Sequence, residues 1–142
     1  MILFIDTEFD GDDLLSVALV NRSGLSFYRE LYYDKTPSEW VARNVIPKLE
    51  GRMMARTVVQ SDLYSFLNKF KTIHLIADWP SDIVHFCNLL ITKPGVRIDT
   101  PPLTMEIRRD ISSSKALNPH HALYDAIALS EAYAALKSRG SI

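Results

Sequence analysis

The feature that most constrains the fold is a short apolar run that becomes acidic within the length of one strand. Residues 2–5 read Ile-Leu-Phe-Ile, and Asp6 and Glu8 follow directly. An apolar run of this kind is typical of a strand buried on both faces at the centre of a sheet. Residues two apart on a strand point to the same face, so the two carboxylates project side by side. The sequence therefore predicts a central first strand with polar chemistry at its C-terminal end.

The rest of the chain predicts two more strands joined by short turns, and then helices that alternate with two further strands. The predicted strands are 1–9, 14–20, 25–33, 73–77 and 96–98, and the predicted helices are 37–49, 61–70, 81–92 and 119–137. Residues 99–118 contain two adjacent prolines and three consecutive serines, which predicts a long loop. This order predicts an α/β fold with a mixed five-stranded sheet, three antiparallel strands followed by two parallel ones, flanked by helices.

The length of 142 residues predicts one domain, residues 1–138, with a short frayed tail at 139–142. The N-terminus carries acidic residues where a secretory signal would carry basic ones, and the apolar runs are shorter than the ~20 residues of a membrane span. The single cysteine, Cys87, allows no internal disulfide. We therefore expect a cytoplasmic protein with no membrane partner.

The charge is distributed unevenly, although the total is nearly neutral at −1. Residues 1–13 contain five carboxylates and no lysine or arginine, whereas residues 48–71 contain five basic residues and two acidic ones. The near-neutral total does not indicate bulk electrostatic binding of nucleic acid. An acidic point beside a basic flank suits a metal-dependent enzyme that acts on phosphate, with ordinary surface charge as the alternative explanation.

Three more acidic residues lie where strands end or helices begin. Asp78 follows the strand at 73–77, Asp82 falls in the first turn of the next helix, and Asp125 lies in the last helix. Neighbouring carboxylates repel one another unless a cation lies between them, and Mg²⁺ and Mn²⁺ prefer such oxygen ligands. Helix capping is the alternative role for Asp82, and a salt bridge is the alternative for Asp125. The pattern predicts a divalent cation site built from separate segments.

Together these motifs resemble the DEDD exonuclease superfamily, which has the ribonuclease H-like fold. The shared motifs are Asp-x-Glu on the first strand, an aspartate after the fourth strand, and His-x-Ala-x-x-Asp at the start of the last helix. A histidine five residues before the last aspartate marks the His-bearing (DEDDh) subclass, and here it is His120. The resemblance extends from residue 5 to residue 126, and it is most similar to the compact stand-alone 3′–5′ exoribonuclease branch.

The resemblance implies a two-metal-ion 3′–5′ exonuclease that releases nucleoside 5′-monophosphates from the 3′ end of RNA or DNA, with RNA favoured. The implied cofactors are two divalent cations, Mg²⁺ or Mn²⁺, and His120 is the implied general base. The implied metal ligands are Asp6, Glu8, Asp82 and Asp125.

Two positions allow a second assignment. Asp78 stands where the family has Asn and is the alternative ligand to Asp82, which the spacing favours. His121 stands four residues before Asp125, where the sister subclass has Tyr, but the five-residue spacing favours His120. Five residues turn a helix by ~500°, so a base at that position must lie before the regular helix begins.

Phe9 and Trp79 are candidates for stacking on a base of the substrate, with core packing as the alternative role. The competing functions are a non-catalytic nucleotide-binding module on the same fold and a ribonuclease H-type endonuclease. That endonuclease family uses only acids around its metals, so His120 favours the exonuclease. The sequence leaves open whether the chain is a monomer or a homodimer.

Overall fold

The computed structural model describes all residues from 1 to 142, with eight strands and four α-helices. The strands are β1 (Ile2–Asp10), β2 (Asp13–Val20), β3 (Ser26–Leu31), β4 (Met53–Met54), β5 (Ile73–Ala77), β6 (Ile91–Lys93), β7 (Val96–Arg97) and β8 (Leu103–Ile107). The helices are α1 (Glu39–Asn44), α2 (Arg56–Leu67), α3 (Pro80–Leu90) and α4 (Ala122–Ser138). The chain therefore has the mixed α/β composition that its periodicity predicts.

The main sheet has six strands in the order β4-β3-β2-β1-β5-β8. Strands β1, β2 and β3 pair antiparallel, whereas β5 pairs parallel with β1 and β8 pairs parallel with β5. The apolar residues Leu3, Phe4 and Ile5 are fully buried, because helices cover both faces of β1. The prediction of a central first strand in a mixed sheet is confirmed.

Alternate residues of β1 pack against different helices. Leu3 and Ile5 belong to a core cluster that includes residues of α2 and α3, whereas Phe4 belongs to a second cluster with α4. Side chains alternate between the two faces along a strand. The next even-numbered residues of β1 therefore point toward the α4 side, and the next odd-numbered residue points toward α3.

The prediction of five strands is wrong, and so is the position of the last one. Strand β7, from the predicted segment 96–98, pairs antiparallel with β6 in a separate hairpin whose turn holds Gly95 at φ +76°. The last strand of the main sheet is β8, which lies inside the predicted loop 99–118. An edge strand is partly exposed and has a weak apolar pattern, which is why sequence periodicity does not reveal it. The sixth strand, β4, has two residues, too few to show any pattern.

The helices fall near their predicted positions, with shifted ends. Helix α1 is shorter than predicted: the Ser38 hydroxyl accepts the Val41 N–H at 3.4 Å at its start, and Pro47 lies in a separate 3₁₀ turn, Ile46–Lys48. Helix α2 begins five residues before the predicted start at 61. Helix α4 begins at Ala122, so His120 lies in the preceding loop, as the five-residue spacing requires. No helix combines the length and apolar character needed to cross a membrane.

Candidate metal centre

Asp6 and Glu8 project from the C-terminal half of β1 on the side that faces α4. The two residues are 8 % and 9 % exposed, which is low for carboxylates that take part in no salt bridge. A β-bulge between Glu8 and Phe9 shifts the pairing with β2 at this point. Bulges redirect side chains beside functional sites, and this one marks the end of the regular strand at the acidic pair.

Thr7, which faces the opposite side of β1, holds Asp82 in place. Its backbone N–H and its hydroxyl both donate to Asp82 Oδ1, at 3.1 and 2.6 Å. Asp82 lies in the first turn of α3, where the unpaired N–H groups favour a negative charge, and it is 2 % exposed. Two donors on one oxygen leave the second oxygen of Asp82 available to another ligand.

Asp6, Asp78 and Asp82 form one group of three carboxylates. They offer oxygen atoms that all lie within 4.8 Å of one another. Asp6 Oδ2 and Asp78 Oδ1 are buried and have no hydrogen-bond partner. Buried polar atoms without partners are rare and costly, and these two oxygens are free to accept a ligand. The structure therefore brings both alternatives, Asp78 and Asp82, to the same place.

Glu8, His120 and Asp125 form a second group, which also has one ligand atom from each residue within 4.8 Å of the others. Asp125 lies in the first turn of α4, and its N–H donates to the His121 carbonyl at 3.0 Å. His120 lies in the loop before α4 with φ +65°, the only positive φ outside glycine in the chain. This left-handed conformation is uncommon for a residue with a side chain, and such conformations are found at functional sites.

Burial and mutual repulsion raise the pKa values of these acids in the absence of a cation. Burial raises the pKa of Glu8 to about 9 and that of Asp82 to about 7. The pKa of Asp6 lies well above its ordinary value because of burial first, and then because of the charges of Asp82 and Glu8. Burial likewise raises the pKa values of Asp78 and Asp125. A divalent cation would offset both burial and repulsion, so the donor set fits one.

All members of the two groups except Asp78 line one cavity of about 390 Å³. Its lining contains Asp6, Thr7, Glu8, Phe9, Trp79, Ser81, Asp82, Ser113, His120 and Asp125. Phe9 packs on His85 with ring centroids 4.5 Å apart, so it contacts the core and the cavity together. Trp79 is 58 % exposed, and the Arg109 guanidinium lies 4.5 Å from its ring centroid. Both aromatic candidates therefore form walls of the cavity.

His121 does not line this cavity, although it adjoins His120 in sequence. Its Nε2 lies 3.0 Å from Glu50 Oε2, and its ring stacks on Tyr28 at 4.7 Å. It is 4 % exposed, so it is held inside the protein on the far side of the loop. Of the two adjacent histidines, only His120 contributes a ligand atom beside Glu8 and Asp125.

Several site residues are not predicted by the sequence analysis. Ser81 and Ser113 line the cavity, and the Trp40 ring meets the His120 ring edge-on at 5.0 Å. The Arg109 guanidinium donates to the Asp78 carbonyl as well as lying over Trp79. Among the site residues that the sequence does not predict, only Thr7 could have been found from the sequence. It is a polar residue inside a strand buried on both faces, and such a residue needs a hydrogen-bond partner.

The assignment of the site depends on this geometry and on the chemistry of its donor atoms. No model of a known protein family matches the chain, and no curated protein matches it significantly.

Proposed function

We propose that the protein is a metal-dependent 3′–5′ exonuclease that removes single nucleotides from the 3′ end of RNA or DNA, with RNA favoured. The observation that carries this proposal is the convergence of four motif acids and one histidine, from three separate segments, on one cavity. These residues are Asp6, Glu8, Asp82, Asp125 and His120. A structural role for the acids as ion-pair partners would place them next to basic groups, and none of these four acids takes part in a salt bridge.

Divalent cations, Mg²⁺ or Mn²⁺, fit the donor set. The proposed ligand atoms of Asp6, Glu8, Asp82 and Asp125 are all carboxylate oxygens, which such hard cations prefer. The unpartnered oxygens of Asp6 and Asp78 and the raised pKa of Glu8, about 9, indicate carboxyl groups whose ionised forms would need a counter-ion. When bound, the cations would supply activation of water and neutralisation of charge on the scissile phosphate. Asp78 adds a fifth carboxylate that would share in holding them.

The chain's own groups account for the remaining chemistry. His120 lies beside Glu8 and Asp125 and borders the cavity, where its imidazole is placed to accept a proton from attacking water. Phe9 and Trp79 line the same cavity and are placed to hold a base by stacking. The cavity of about 390 Å³ is in the range of small-ligand pockets, which suits one nucleotide at a time.

We also propose that the fold is ribonuclease H-like and that residues 1–138 act as one domain in the cytoplasm. The sheet supports the fold assignment, since three antiparallel strands are followed by parallel β5 and β8 on the other side of β1. The extra strand β4 lies at the opposite edge and leaves this arrangement unchanged.

The test is a time course with 5′-labelled single-stranded RNA and its DNA analogue, in Mg²⁺ or Mn²⁺ and in EDTA. We expect products that shorten by single nucleotides, release of nucleoside 5′-monophosphates, and no activity in EDTA. Internal fragments, or cleavage of a circular RNA, would support the endonuclease instead. Binding of the monophosphate without any cleavage would support a non-catalytic nucleotide-binding module.

A further inference from the structure

The loop that carries His120 is attached on both sides to one short segment, residues 48–50, which we term the strap. Lys48 Nζ donates to Asn118 Oδ1 at 2.8 Å, two residues before His120. Glu50 Oε2 lies 3.0 Å from His121 Nε2, one residue after it. The left-handed φ of His120, +65°, is unfavourable unless its surroundings hold it. The two strap contacts bracket the strained residue and supply that restraint.

The strap is itself fixed to the sheet by Glu30 on β3, which is 1 % exposed. Glu30 Oε2 accepts the Glu50 N–H at 2.6 Å, and Glu30 Oε1 accepts the Arg52 N–H at 3.1 Å. The Tyr28 hydroxyl also donates to Glu30 Oε2. A buried carboxylate is tolerated only when its oxygens are well satisfied, and here three donors satisfy it. Glu30 therefore determines where the backbone of Glu50 lies.

Tyr28 contacts both His121 and Glu30, and so completes a closed set of contacts among Tyr28, Glu30, Glu50 and His121. Its aromatic ring stacks on His121, with centroids 4.7 Å and planes 23° apart, while its hydroxyl bonds to Glu30. A carboxylate only accepts hydrogen bonds, so His121 Nε2 carries the proton that it shares with Glu50. His121 Nδ1 is buried and has no partner, so the bond to Glu50 is the one polar contact that orients this imidazole.

We propose that the closed set of contacts among Tyr28, Glu30, Glu50 and His121 is a positioning device for His120. His121 and Glu50 are then positioning residues, which act on the reaction only through the loop between Asn118 and Ala122. What His120 does once it is positioned rests on the proposed nuclease function. His121 is accordingly needed to position the general base, so a variant of His121 should also lower activity and cannot serve as a control that leaves activity unchanged.

Glu50 provides the test because its side chain is 47 % exposed and contacts none of the metal-ligand candidates, so its variants should fold. We expect Glu50→Ala to lower kcat about 10-fold, within the ~10²-fold that a misplacement of about 1 Å costs. KM and Mn²⁺ affinity should change less than about twofold. Glu50→Gln keeps a side-chain oxygen as acceptor for His121 Nε2–H and should restore most of kcat. The matched control is Glu39→Ala, an exposed glutamate on α1, which should leave kcat unchanged.

A second background separates positioning of His120 from general support of the site. His120→Ala alone should lower kcat by ~10²–10⁴-fold, the usual contribution of a general base. Adding Glu50→Ala to His120→Ala should cause no further loss, because the strap acts through that side chain. A further loss, a fall in Mn²⁺ affinity, or a wild-type kcat for Glu50→Ala alone would each overturn the proposal.

A measurement independent of catalysis distinguishes failure of this inference from failure of the nuclease assignment. In ¹⁵N-histidine NMR spectra we expect His121 to carry its proton on Nε2 in the wild type. The His120 ring signals should shift or broaden in Glu50→Ala and remain unchanged in Glu39→Ala. If the wild type cleaves no nucleic acid and these changes still occur, the strap holds the loop and the nuclease function is wrong. Unchanged His120 signals in Glu50→Ala would overturn the positioning role whatever the activity.

Discussion

Thr7 lies between two metal-ligand candidates in the chain and yet serves a third. Its hydroxyl donates to Asp82 Oδ1 at 2.6 Å, across the face of β1 that is turned away from Asp6 and Glu8. Residues that hydrogen-bond to ligands orient them, and their loss costs about 10–100-fold in metal affinity. At this scale the site depends on a residue that orients a ligand as well as on the acids themselves.

We expect Thr7→Val, which keeps the shape of the side chain and loses the hydroxyl, to weaken Mn²⁺ binding about 10-fold. The backbone N–H of residue 7 still donates to Asp82 Oδ1 at 3.1 Å, so binding should not be abolished. Thr7→Ser retains the hydroxyl and is the matched control. Titration calorimetry with Mn²⁺ measures the effect, and equal affinities for the two variants would contradict the role given to the hydroxyl.

Asp6→Asn should separate stability from metal binding. The pKa of Asp6 is raised by burial and then by the charges of its neighbours, so its ionised form is unfavourable in the metal-free protein. Replacing it with a neutral amide should raise metal-free stability at pH 8 by about 1 kcal/mol, since removal of strain at functional sites is often stabilising. The same change should abolish nuclease activity and tight Mn²⁺ binding.

Thermal unfolding in EDTA and Mn²⁺ calorimetry check both parts of this prediction. The matched control is Asp12→Asn, an exposed aspartate near the end of β1, which should alter neither property. Unchanged Mn²⁺ affinity in Asp6→Asn would remove Asp6 from the site.

At the scale of elements, α4 lies close enough to the sheet to bring Asp125 to Glu8 because its contact face is made of small residues. Ala122 and Ala126 are fully buried against Phe4 and Ala18. Alanine has no side-chain entropy to lose and allows close approach of helix and sheet. This alanine face therefore sets the distance between α4 and β1, and the positions of the ligand groups depend on that distance.

Ala126→Leu should push α4 away from the sheet. Overpacking of a well-packed core typically costs about 1–3 kcal/mol, and here it should also weaken Mn²⁺ binding because Asp125 adjoins the substituted residue. Ala135→Leu, at an exposed position of the same helix, is the control and should change neither quantity by much. Urea unfolding and Mn²⁺ titration measure the two effects; a destabilised variant with normal Mn²⁺ affinity would mean that Asp125 does not depend on the helix position.

Elements also differ in how well the sequence alone predicts them. Strand β1 has a continuous apolar run and helix α3 has a marked apolar face, because each packs against other elements along much of its length. Strands β4 and β8 lie at the edges of the sheet and have few buried positions. Their existence depends on hydrogen bonds with β3 and β5, which leave no mark on the local pattern of residues.

At the scale of the whole molecule, the acidic centre should make metal-free stability depend on pH. In the folded state burial raises the pKa of Asp82 to about 7 and that of Glu8 to about 9, whereas their unfolded values are near 3.9 and 4.3. A raised folded pKa favours folding when the group is protonated, so this contribution is complete below about pH 4. It is lost as the pH rises through 7 and 9.

We therefore expect the melting temperature in EDTA to fall steadily between pH 5 and pH 9. Mn²⁺ should raise the melting temperature more at pH 8 than at pH 5, because protons compete with the metal for the same oxygens. The double variant Asp6→Asn/Glu8→Gln should flatten both dependences. Differential scanning calorimetry across this range gives the result, and a metal-free stability that increases toward pH 9 would contradict the assignment of the acids as unpaired and buried.

The sequence by itself determines what depends on local order along the chain. The apolar run of β1 predicts a central strand, and the alternation of strand residues predicts that Asp6 and Glu8 share a face. The five residues between His120 and Asp125 predict a histidine that precedes its helix. These features follow from backbone geometry, which repeats every two residues in a strand and every 3.6 in a helix.

Only the tertiary structure decides which distant residues meet. The sequence provides no reason for Glu50 to bond His121 rather than solvent, or for Thr7 to hold Asp82, because each contact joins residues more than 70 positions apart. The local pattern also favours the segment 96–98 over the segment 103–107 as the last strand of the sheet, whereas the structure places 103–107 there. These outcomes depend on the packing of α2, α3 and α4 on the sheet and on satisfying every buried polar group together, and such constraints act on the whole chain rather than on any window of it.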